Sequence, residues 1–241
     1  MTRAPYVNFG HYVSDAWAQA PKQTFRDLGR HLRAARGDAF AGAVLDVGCA
    51  AGELLAYLAS VFPGIRATGV DVFDELLAEA RKRVPAAAFA KASALDLPRE
   101  LHGKFDVVTA TGVMSVFDEN EIAAFWRNLV AAAKPDGLVV VLAPLNDYGV
   151  DTMIRHRKRM HGRALGWETG WNIHAVETVA DIVAALGRRV RFERFRFEGE
   201  LARRDDPVRT WTLATADDPR QLTNGLKLLV DHYFMIVEAH A

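Results

Sequence analysis

A glycine-rich turn flanked by two acidic residues is the stretch of this 241-residue chain best suited to bind a ligand. Asp46 lies in an apolar run, and Gly48-Cys49-Ala50-Ala51-Gly52 follows before a helical pattern. A strand, a tight turn and a helix in this order bring backbone N–H groups and a helix N-terminus close to a ligand. Glu53 occupies the place of the third glycine of a dinucleotide-binding loop, where its charge would repel a pyrophosphate. The turn therefore favours a nucleoside ligand without phosphate.

Alternating strand and helix patterns surround this turn from residue 43 onward, which is typical of βαβ units around a parallel sheet. Apolar residues at helical spacing predict helices at 54–62, 74–83 and 118–133. Asp71 follows the second strand directly, and Lys134–Gly137 is predicted to form a turn. Short apolar runs predict five strands, at Ala43–Val47, Ile65–Val70, Ala86–Ala90, Phe105–Ala110 and Leu138–Leu142.

The regular alternation breaks after residue 143. Residues 146–173 contain two tryptophans and the basic run 155–159, which predicts a lid insertion after strand five. A helix at 175–186 and strands at Val190–Phe197 and Phe234–Glu238 follow, with a second insertion at 198–232. We therefore predict an α/β, Rossmann-like fold: a seven-stranded, mostly parallel sheet with helices on both faces. An N-terminal helical cap (1–38) precedes a main domain (39–241).

The composition restricts the classes of partner. Thirty basic and thirty acidic residues cancel, which argues against binding to nucleic acid or to an anionic membrane. Cys49 is the only cysteine, so neither an internal disulfide nor a cysteine-based metal site is expected, and no metal is predicted. The sequence shows no signal peptide and no run of about 18 apolar residues. We expect a cytoplasmic monomer or homodimer.

Five motifs occur in order between about residues 40 and 145. Together they resemble the successive motifs of class I S-adenosylmethionine-dependent methyltransferases, and their order and spacing carry that resemblance. They are Asp46-x-Gly48-x-Ala50-x-Gly52, Asp71 after strand two, Ser93-Ala94-Leu95-Asp96-Leu97-Pro98, Phe105-Asp106-Val107-Val108 and Lys134-Pro135-Asp136-Gly137.

The resemblance implies that S-adenosyl-L-methionine is the cofactor and S-adenosyl-L-homocysteine the product. Residues 48–52 would hold the methionine part, with Asp46 anchoring the loop. Asp71 would accept hydrogen bonds from both ribose hydroxyls, which a carboxylate can do. Residues 93–95 would border the adenine, and residues beyond strand four would lie near the sulfonium. The predicted cofactor-binding residues are Tyr12, Asp46, Gly48, Cys49, Ala50, Gly52, Asp71, Val72, Ser93, Ala94, Leu95, Thr111, Gly112 and Met114.

Two positions depart from the family pattern, and one segment extends it. Ala50 replaces the middle glycine of the loop, which adds a single methyl group. Ser93 stands where the family often has an aspartate that binds the adenine amino group. The segment Asn8–Tyr12 is similar to a short aromatic motif that folds over the cofactor in several small-molecule methyltransferases, so Tyr12 is either a cofactor contact or an aromatic packing residue.

Methyl transfer requires alignment of a nucleophile and often removal of its proton. His174 is the candidate general base because it follows the insertion and precedes a helix; the alternative is a capping or packing histidine. The basic run 155–159 either holds a phosphate or carboxylate of the acceptor or is a solvated surface.

The predicted function is therefore methylation of a small-molecule acceptor on oxygen, nitrogen or carbon. The segment after strand four lacks the Asn/Asp-Pro-Pro-aromatic loop that is usual in methylases of nucleic-acid amines. Two alternatives share the strand–turn–helix: an NAD(P)-dependent oxidoreductase, which Glu53 disfavours, and a non-catalytic S-adenosylmethionine-binding protein of the same fold.

Overall fold

The computed structural model describes residues 20–157, 159–160, 162–164, 166–169, 171–196, 198, 221–222 and 229–238. Among these residues, no helix is long and apolar enough to cross a membrane. The helices within these ranges are α1 (Gln23–Arg36), α2 (Glu53–Val61), α3 (Asp74–Arg83), α4 (Ile122–Ala132) and α5 (Val176–Ala185), with short 3₁₀ turns at Arg99–Leu101 and Met114–Val116.

The strands alternate with these helices in the first half of the chain and cluster in the second. They are β1 (Ala43–Val47), β2 (Arg66–Asp71), β3 (Ala88–Lys91), β4 (Phe105–Thr111), β5 (Ala133–Asn146), β6 (Arg155–His156), β7 (Arg159–Met160), β8 (Arg163–Ala164), β9 (Glu168–Thr169), β10 (His174–Ala175), β11 (Arg189–Phe195), β12 (Gln221–Leu222) and β13 (Leu229–Glu238).

Seven strands in the order β11-β13-β5-β4-β1-β2-β3 form the main path of a nine-stranded sheet, to which the short strands β10 and β12 add by pairing with β5 and β13. The neighbours from β3 to β5 are parallel, whereas β13 runs antiparallel to both β5 and β11. The predicted seven-stranded, mostly parallel sheet is thus confirmed. Parallel strands need crossover helices, and those helices cover both faces of the sheet.

The side chains of β5 show how the two faces are filled. Its odd-numbered residues Val139, Val141 and Ala143 pack with α4 and α5 on one face. Its even-numbered residues Leu138, Val140 and Leu142 pack with α1, α2 and Leu77 of α3 on the other. Because successive side chains of a strand point to opposite faces, a continuous apolar run marks a strand buried on both sides.

Strand β5 is much longer than the five residues predicted. The turn predicted at Lys134–Gly137 lies inside it as an irregularity: Phe105 pairs with Ala133, whereas Val107 pairs with Leu138. Pairing with β13 and β10 carries β5 on to Asn146, so residue 146 belongs to the sheet and not to the insertion. Hydrogen bonds to partner strands therefore extended an element whose local pattern ended earlier.

The insertion after β5 contains two short antiparallel ladders, β6 with β9 and β7 with β8. Its ends return to the sheet through β10, which pairs with Leu145 and Asn146 of β5. The second predicted insertion, 198–232, falls mostly outside the described residues, but β13 already begins at Leu229, so its predicted boundary was wrong. The predicted boundary at residue 38 stays a prediction; α1 packs into the same core cluster as α2.

Candidate functional site

The carboxyl ends of β4, β1, β2 and β3 lie side by side along one edge of the sheet. This edge brings together the end of β4, the glycine-rich loop after β1, Asp71 at the end of β2 and the loop after β3. Ligands of open α/β sheets bind at such an edge, outside the carboxyl ends of the strands. We call the residues that meet here the carboxyl-edge site.

The glycine-rich loop is held by backbone hydrogen bonds to its neighbours. The N–H groups of Gly48 and Cys49 both donate to the carbonyl oxygen of Val70, at 2.8 and 3.0 Å. Gly48 has a φ of 75°, and a Cβ atom there would lie 2.3 Å from Cγ2 of Val113. Glycine is therefore required at this position both by backbone conformation and by the approach of the loop after β4.

Ala50 replaces a glycine in the left-handed region, with a φ of 47°. Its N–H donates to Oδ2 of Asp71 at 2.9 Å, and Oδ1 of Asp71 accepts from the N–H of Phe73 at 3.1 Å. Burial raises the pKa of Asp71, against the opposing effect of these backbone hydrogen bonds. Asp71 thus fixes the glycine-rich loop through backbone hydrogen bonds.

Asp46 is a buried carboxyl group, 2% exposed, with a threonine hydroxyl as its partner. Oγ1 of Thr109 donates to Oδ1 of Asp46 at 2.8 Å. Burial raises the pKa of Asp46 to about 7, although the bond from Thr109 opposes the rise and the charge of Asp71 adds to it. Within the described residues, neither Asp46 nor Asp71 has a lysine or arginine partner. Thr109, a polar residue inside an apolar run, was the signal that sequence reasoning missed.

Glu53 begins α2 directly behind the loop and is 7% exposed. It is paired with Lys22 at the start of α1, and Nζ of that lysine also lies 5.0 Å from the ring centroid of Phe25. A carboxylate in the first turn stabilises a helix N-terminus. The positive end of α2 therefore already has an anion of the protein itself, Glu53. Its ion pair with Lys22 joins α1 to the glycine-rich loop.

The two loops that flank the site have different characters. In the loop after β3, Oγ of Ser93 accepts the N–H of Leu95 at 3.1 Å, and the Ala94 carbonyl accepts from Asn128 at 3.0 Å. At the end of β4, Thr111 is partly exposed, and Gly112 in the loop that follows is exposed. Met114, by contrast, is fully buried in the core, so its side chain faces away from solvent at the edge.

The remaining predicted residues divide between backbone and surface positions. Cys49 is buried in the core with α1 and α2, and burial raises the pKa of its thiol, so only its backbone is available to a ligand. Val72, beside Asp71, is 46% exposed. Tyr12 lies outside the described residues. Within the ranges described above, no group of three or more His, Cys, Asp or Glu residues could hold a metal ion.

His174 is 1% exposed and lies where the insertion returns to the sheet. Its Nε2 atom is 3.2 Å from the Phe117 carbonyl oxygen, and Nδ1 is 3.8 Å from Oδ1 of Asp151. Burial lowers its pKa, although the bond to Phe117 and the charge of Asp151 oppose this. The ring is therefore neutral at pH 7, enclosed by protein atoms, and next to the loop after β4.

Comparison with known proteins places the central part of this chain in a family. The model of the family described as "Methyltransferase domain" matches residues 45–139, which span the loop, Asp71 and the loops after β3 and β4. Trans-aconitate 2-methyltransferase of Paracidovorax citrulli is 32% identical over 103 residues, which is 43% of this chain and 39% of that protein. Demethylmenaquinone methyltransferase of Chlorobaculum tepidum is 31% identical over 102 residues, 42% of this chain and 40% of the relative.

The chain thus spans about two-fifths of the length of these curated relatives. A crystal structure of Burkholderia thailandensis 1,6-didemethyltoxoflavin-N1-methyltransferase, with bound 1,6-didemethyltoxoflavin and S-adenosylhomocysteine, superposes with a TM-score of 0.57 at 16% identity. That likeness covers 99% of this chain and 93% of the other, and it shows a shared fold. The strand order, the edge loops and the match of residues 45–139 to a methyltransferase domain thus support the resemblance to class I S-adenosylmethionine-dependent methyltransferases.

Proposed function

We propose that this protein binds S-adenosylmethionine at the carboxyl-edge site and transfers the methyl group to a small-molecule acceptor. The observation that carries the proposal is the pair of buried carboxyl groups, Asp46 and Asp71, without a cationic partner among the described residues. Buried acids of this kind are costly unless they are protonated or paired. S-adenosylmethionine carries a sulfonium and an ammonium group, so its charge suits the site.

The chain's own residues divide the work of binding. We assign the methionine part to the glycine-rich loop and Asp46, and the ribose hydroxyls to the carboxylate of Asp71 at the end of β2. The hydroxyl of Ser93 has one lone pair left for the adenine amino group after accepting from Leu95. Gly52, Val72, Ala94, Thr111 and Gly112 supply the remaining surface.

S-adenosylmethionine supplies an electrophilic methyl group, so the protein must align an acceptor atom with it and exclude water. The insertion is placed for this task because its ends are tied to the carboxyl ends of β4 and β5. Whether oxygen, nitrogen or carbon is methylated depends on the acceptor that the insertion admits.

Arginines of the insertion favour an acceptor with a carboxylate or phosphate. The guanidinium carbons of Arg155 and Arg157 lie 5.9 and 4.9 Å from the ring centroid of Trp167, which is 56% exposed. A planar guanidinium stacked on an aromatic ring keeps its N–H groups free for an anion. The relative that is named for trans-aconitate makes that carboxylate the first acceptor to test.

An NAD(P)-dependent oxidoreductase is the competing enzyme class. Glu53 disfavours it, because the first turn of α2 already holds a buried carboxylate paired with Lys22. The sequence also lacks a Tyr-x-x-x-Lys pair. A non-catalytic S-adenosylmethionine-binding protein would have the same cofactor site, so only turnover separates it from an enzyme.

The test has a binding step and a turnover step. Calorimetry should detect binding of S-adenosylhomocysteine and no comparable binding of NAD; tighter binding of NAD would reject the proposal. Incubation with isotope-labelled S-adenosylmethionine, first with trans-aconitate and then with a low-molecular-mass cell extract, should yield products heavier by one methylene. Cofactor binding without any labelled product would favour the non-catalytic alternative.

A further inference from the structure

Two polar side chains of the segment after the insertion are fully buried next to the carboxyl-edge site. Asn172 is 0% exposed and His174 is 1% exposed, and both contact the same acceptor, the carbonyl oxygen of Phe117. Burying polar groups is costly unless they are hydrogen-bonded. Their contacts therefore indicate what the two residues do.

Asn172 joins three separate segments of the chain. Its Nδ2 donates to the Phe117 carbonyl at 2.9 Å, and its backbone N–H donates to the Ser115 carbonyl at 2.7 Å. Its Oδ1 accepts the N–H of Ile154 at 2.8 Å. One amide side chain thus ties the start of the insertion, the end of the insertion and the loop after β4 together.

His174 contacts the same carbonyl oxygen of Phe117, which accepts this hydrogen bond through its second lone pair. A carbonyl oxygen accepts only, so the proton of the neutral ring lies on Nε2 and points at Phe117. The other nitrogen faces Asp151, whose Oδ1 already accepts the N–H of Ala175 at 2.7 Å and whose Oδ2 accepts the hydroxyl of Thr178 at 2.7 Å. Neither nitrogen faces open solvent from which an acceptor could approach.

The two strands at the base of the insertion are also tied to each other. Thr152 and Ile173 exchange both backbone hydrogen bonds, at 2.8 and 3.0 Å, and β10 pairs with β5. The loop that receives these contacts, residues 112–117, contains Val113, which closes over Gly48 of the cofactor loop. A rigid path therefore connects the insertion to the cofactor loop.

We propose that Asn172 and His174 are positioning residues. Both donate a hydrogen bond to the Phe117 carbonyl, and these bonds fix the acceptor-binding insertion relative to the loop that borders the methyl donor. This inference rests on the proposed function and assigns His174 a role other than the general base predicted from sequence. With either donor removed, the Phe117 carbonyl keeps one hydrogen bond to this segment instead of two, so the loop is held less firmly.

Four variants separate the two roles of His174. His174→Gln keeps an Nε2 donor that can reach Phe117 but cannot act as a base, whereas His174→Leu removes the donor. Asn172→Asp keeps the acceptor for Ile154 and removes the donor to Phe117. Thr178→Val is the control, because it breaks a bond of Asp151 without changing the contacts of Phe117.

Hydrogen–deuterium exchange tests the connection without an acceptor. His174→Leu and Asn172→Asp should speed exchange about tenfold in peptides covering both 112–117 and 150–154, because each removes one hydrogen bond that holds the loop. His174→Gln and Thr178→Val should leave the 112–117 peptide close to wild type. Unchanged exchange in all four proteins would overturn the proposal.

Turnover, followed as label passing from S-adenosylmethionine into the small-molecule fraction of a cell extract, tests the role. Positioning predicts that His174→Gln recovers most of the activity that His174→Leu loses, with the pH profile of kcat/KM unchanged. Equal losses of activity in both variants, with disappearance of the acidic limb of the pH profile of kcat/KM, would establish His174 as a general base and overturn the proposal. Failure of the wild type to bind S-adenosylhomocysteine or transfer label would instead reject the proposed function.

Discussion

The two edges of the parallel sheet treat their acidic residues in opposite ways. At the amino edge, Asp106 near the start of β4 accepts from Nζ of Lys134 and from the N–H of Ala43, both at 2.7 Å. Burial alone would raise the pKa of Asp106, but these contacts outweigh it and the pKa is lowered. At the carboxyl edge, burial dominates and the pKa values of Asp46 and Asp71 are raised.

This contrast separates an acid with a cationic partner from acids whose partners among the described residues are backbone and hydroxyl groups. The amino edge is electrostatically complete within the chain, because a cation and a backbone donor satisfy its carboxylate. At the carboxyl edge, Asp46 and Asp71 have backbone and hydroxyl donors but no lysine or arginine partner among the described residues. A cationic ligand completes such a site, and perturbed acids of this kind are frequent at functional sites.

The largest expected effect concerns the pH dependence of stability at Asp46. Its native pKa of about 7 lies above the ordinary value of 3.8, so the native state binds the proton more tightly. The tighter binding of this proton stabilises the native state at pH values below the unfolded pKa, and the stabilisation is lost as pH rises toward 7. Urea unfolding should show that Asp46→Asn gains on the order of 2 kcal/mol relative to wild type between pH 5 and pH 8. Parallel pH profiles for the two proteins would contradict the assignment.

The second effect concerns cofactor affinity at Asp71. Asp71→Asn should weaken binding of S-adenosylhomocysteine by more than about tenfold, equivalent to about 1.4 kcal/mol, because it removes one acceptor for the ribose and one for the loop. Calorimetry measures the loss, and Asp106→Asn is the matched control with unchanged affinity. Equal affinity for Asp71→Asn and wild type would refute the ribose assignment.

The third effect concerns Asp106 at the amino edge, whose contribution to stability changes with pH in the opposite direction. Because the native pKa of Asp106 is lowered, its stabilisation is present above the unfolded pKa and disappears as pH falls through the native value. Asp106→Asn should lower the free energy of unfolding by about 1 kcal/mol at pH 7, since the pair with Lys134 is half-buried. The difference should shrink as the pH falls through the lowered pKa of Asp106 and vanish below it; a difference that persists in acid would mean that packing, not charge, is responsible.

The smallest effect tests the strained residue of the cofactor loop. Ala50→Gly relieves a left-handed φ worth about 1–2 kcal/mol, while added flexibility of the unfolded chain costs about 0.5–1 kcal/mol. The net change in unfolding free energy should be a gain of about 0.5 kcal/mol, with S-adenosylhomocysteine affinity within about twofold of wild type. A loss of affinity would show that the alanine methyl group itself contributes to the cofactor site.

Local patterns were sufficient for much of the fold. The spacing of Gly48 and Gly52, and the position of Asp71 after an apolar run, predicted the strands and loops that the structure places at one edge. The length of β5 was not predictable in the same way, because its last residues are strand only through pairing with β13 and β10. Long-range hydrogen bonds have no signature in the local sequence.

The candidate site, too, was predictable from sequence only in part. The sequence alone identified the residues of the glycine-rich loop as candidate ligand contacts. The burial of Asp46 against Thr109, however, depends on the packing of β1 beside β4. His174 was selected for its position after the insertion, and only the fold showed that both of its nitrogens face protein groups.

By itself, the sequence determined the order of the first five strands and their helices, the glycine positions and the resemblance to a family, because these follow from local periodicity and motif spacing. The tertiary structure decided which acids have a cationic partner and which have only backbone or hydroxyl donors within the described residues, because pKa values depend on burial and on partners distant in sequence. It also decided that Asn172 and His174 share the Phe117 carbonyl, a contact between segments more than fifty residues apart along the chain.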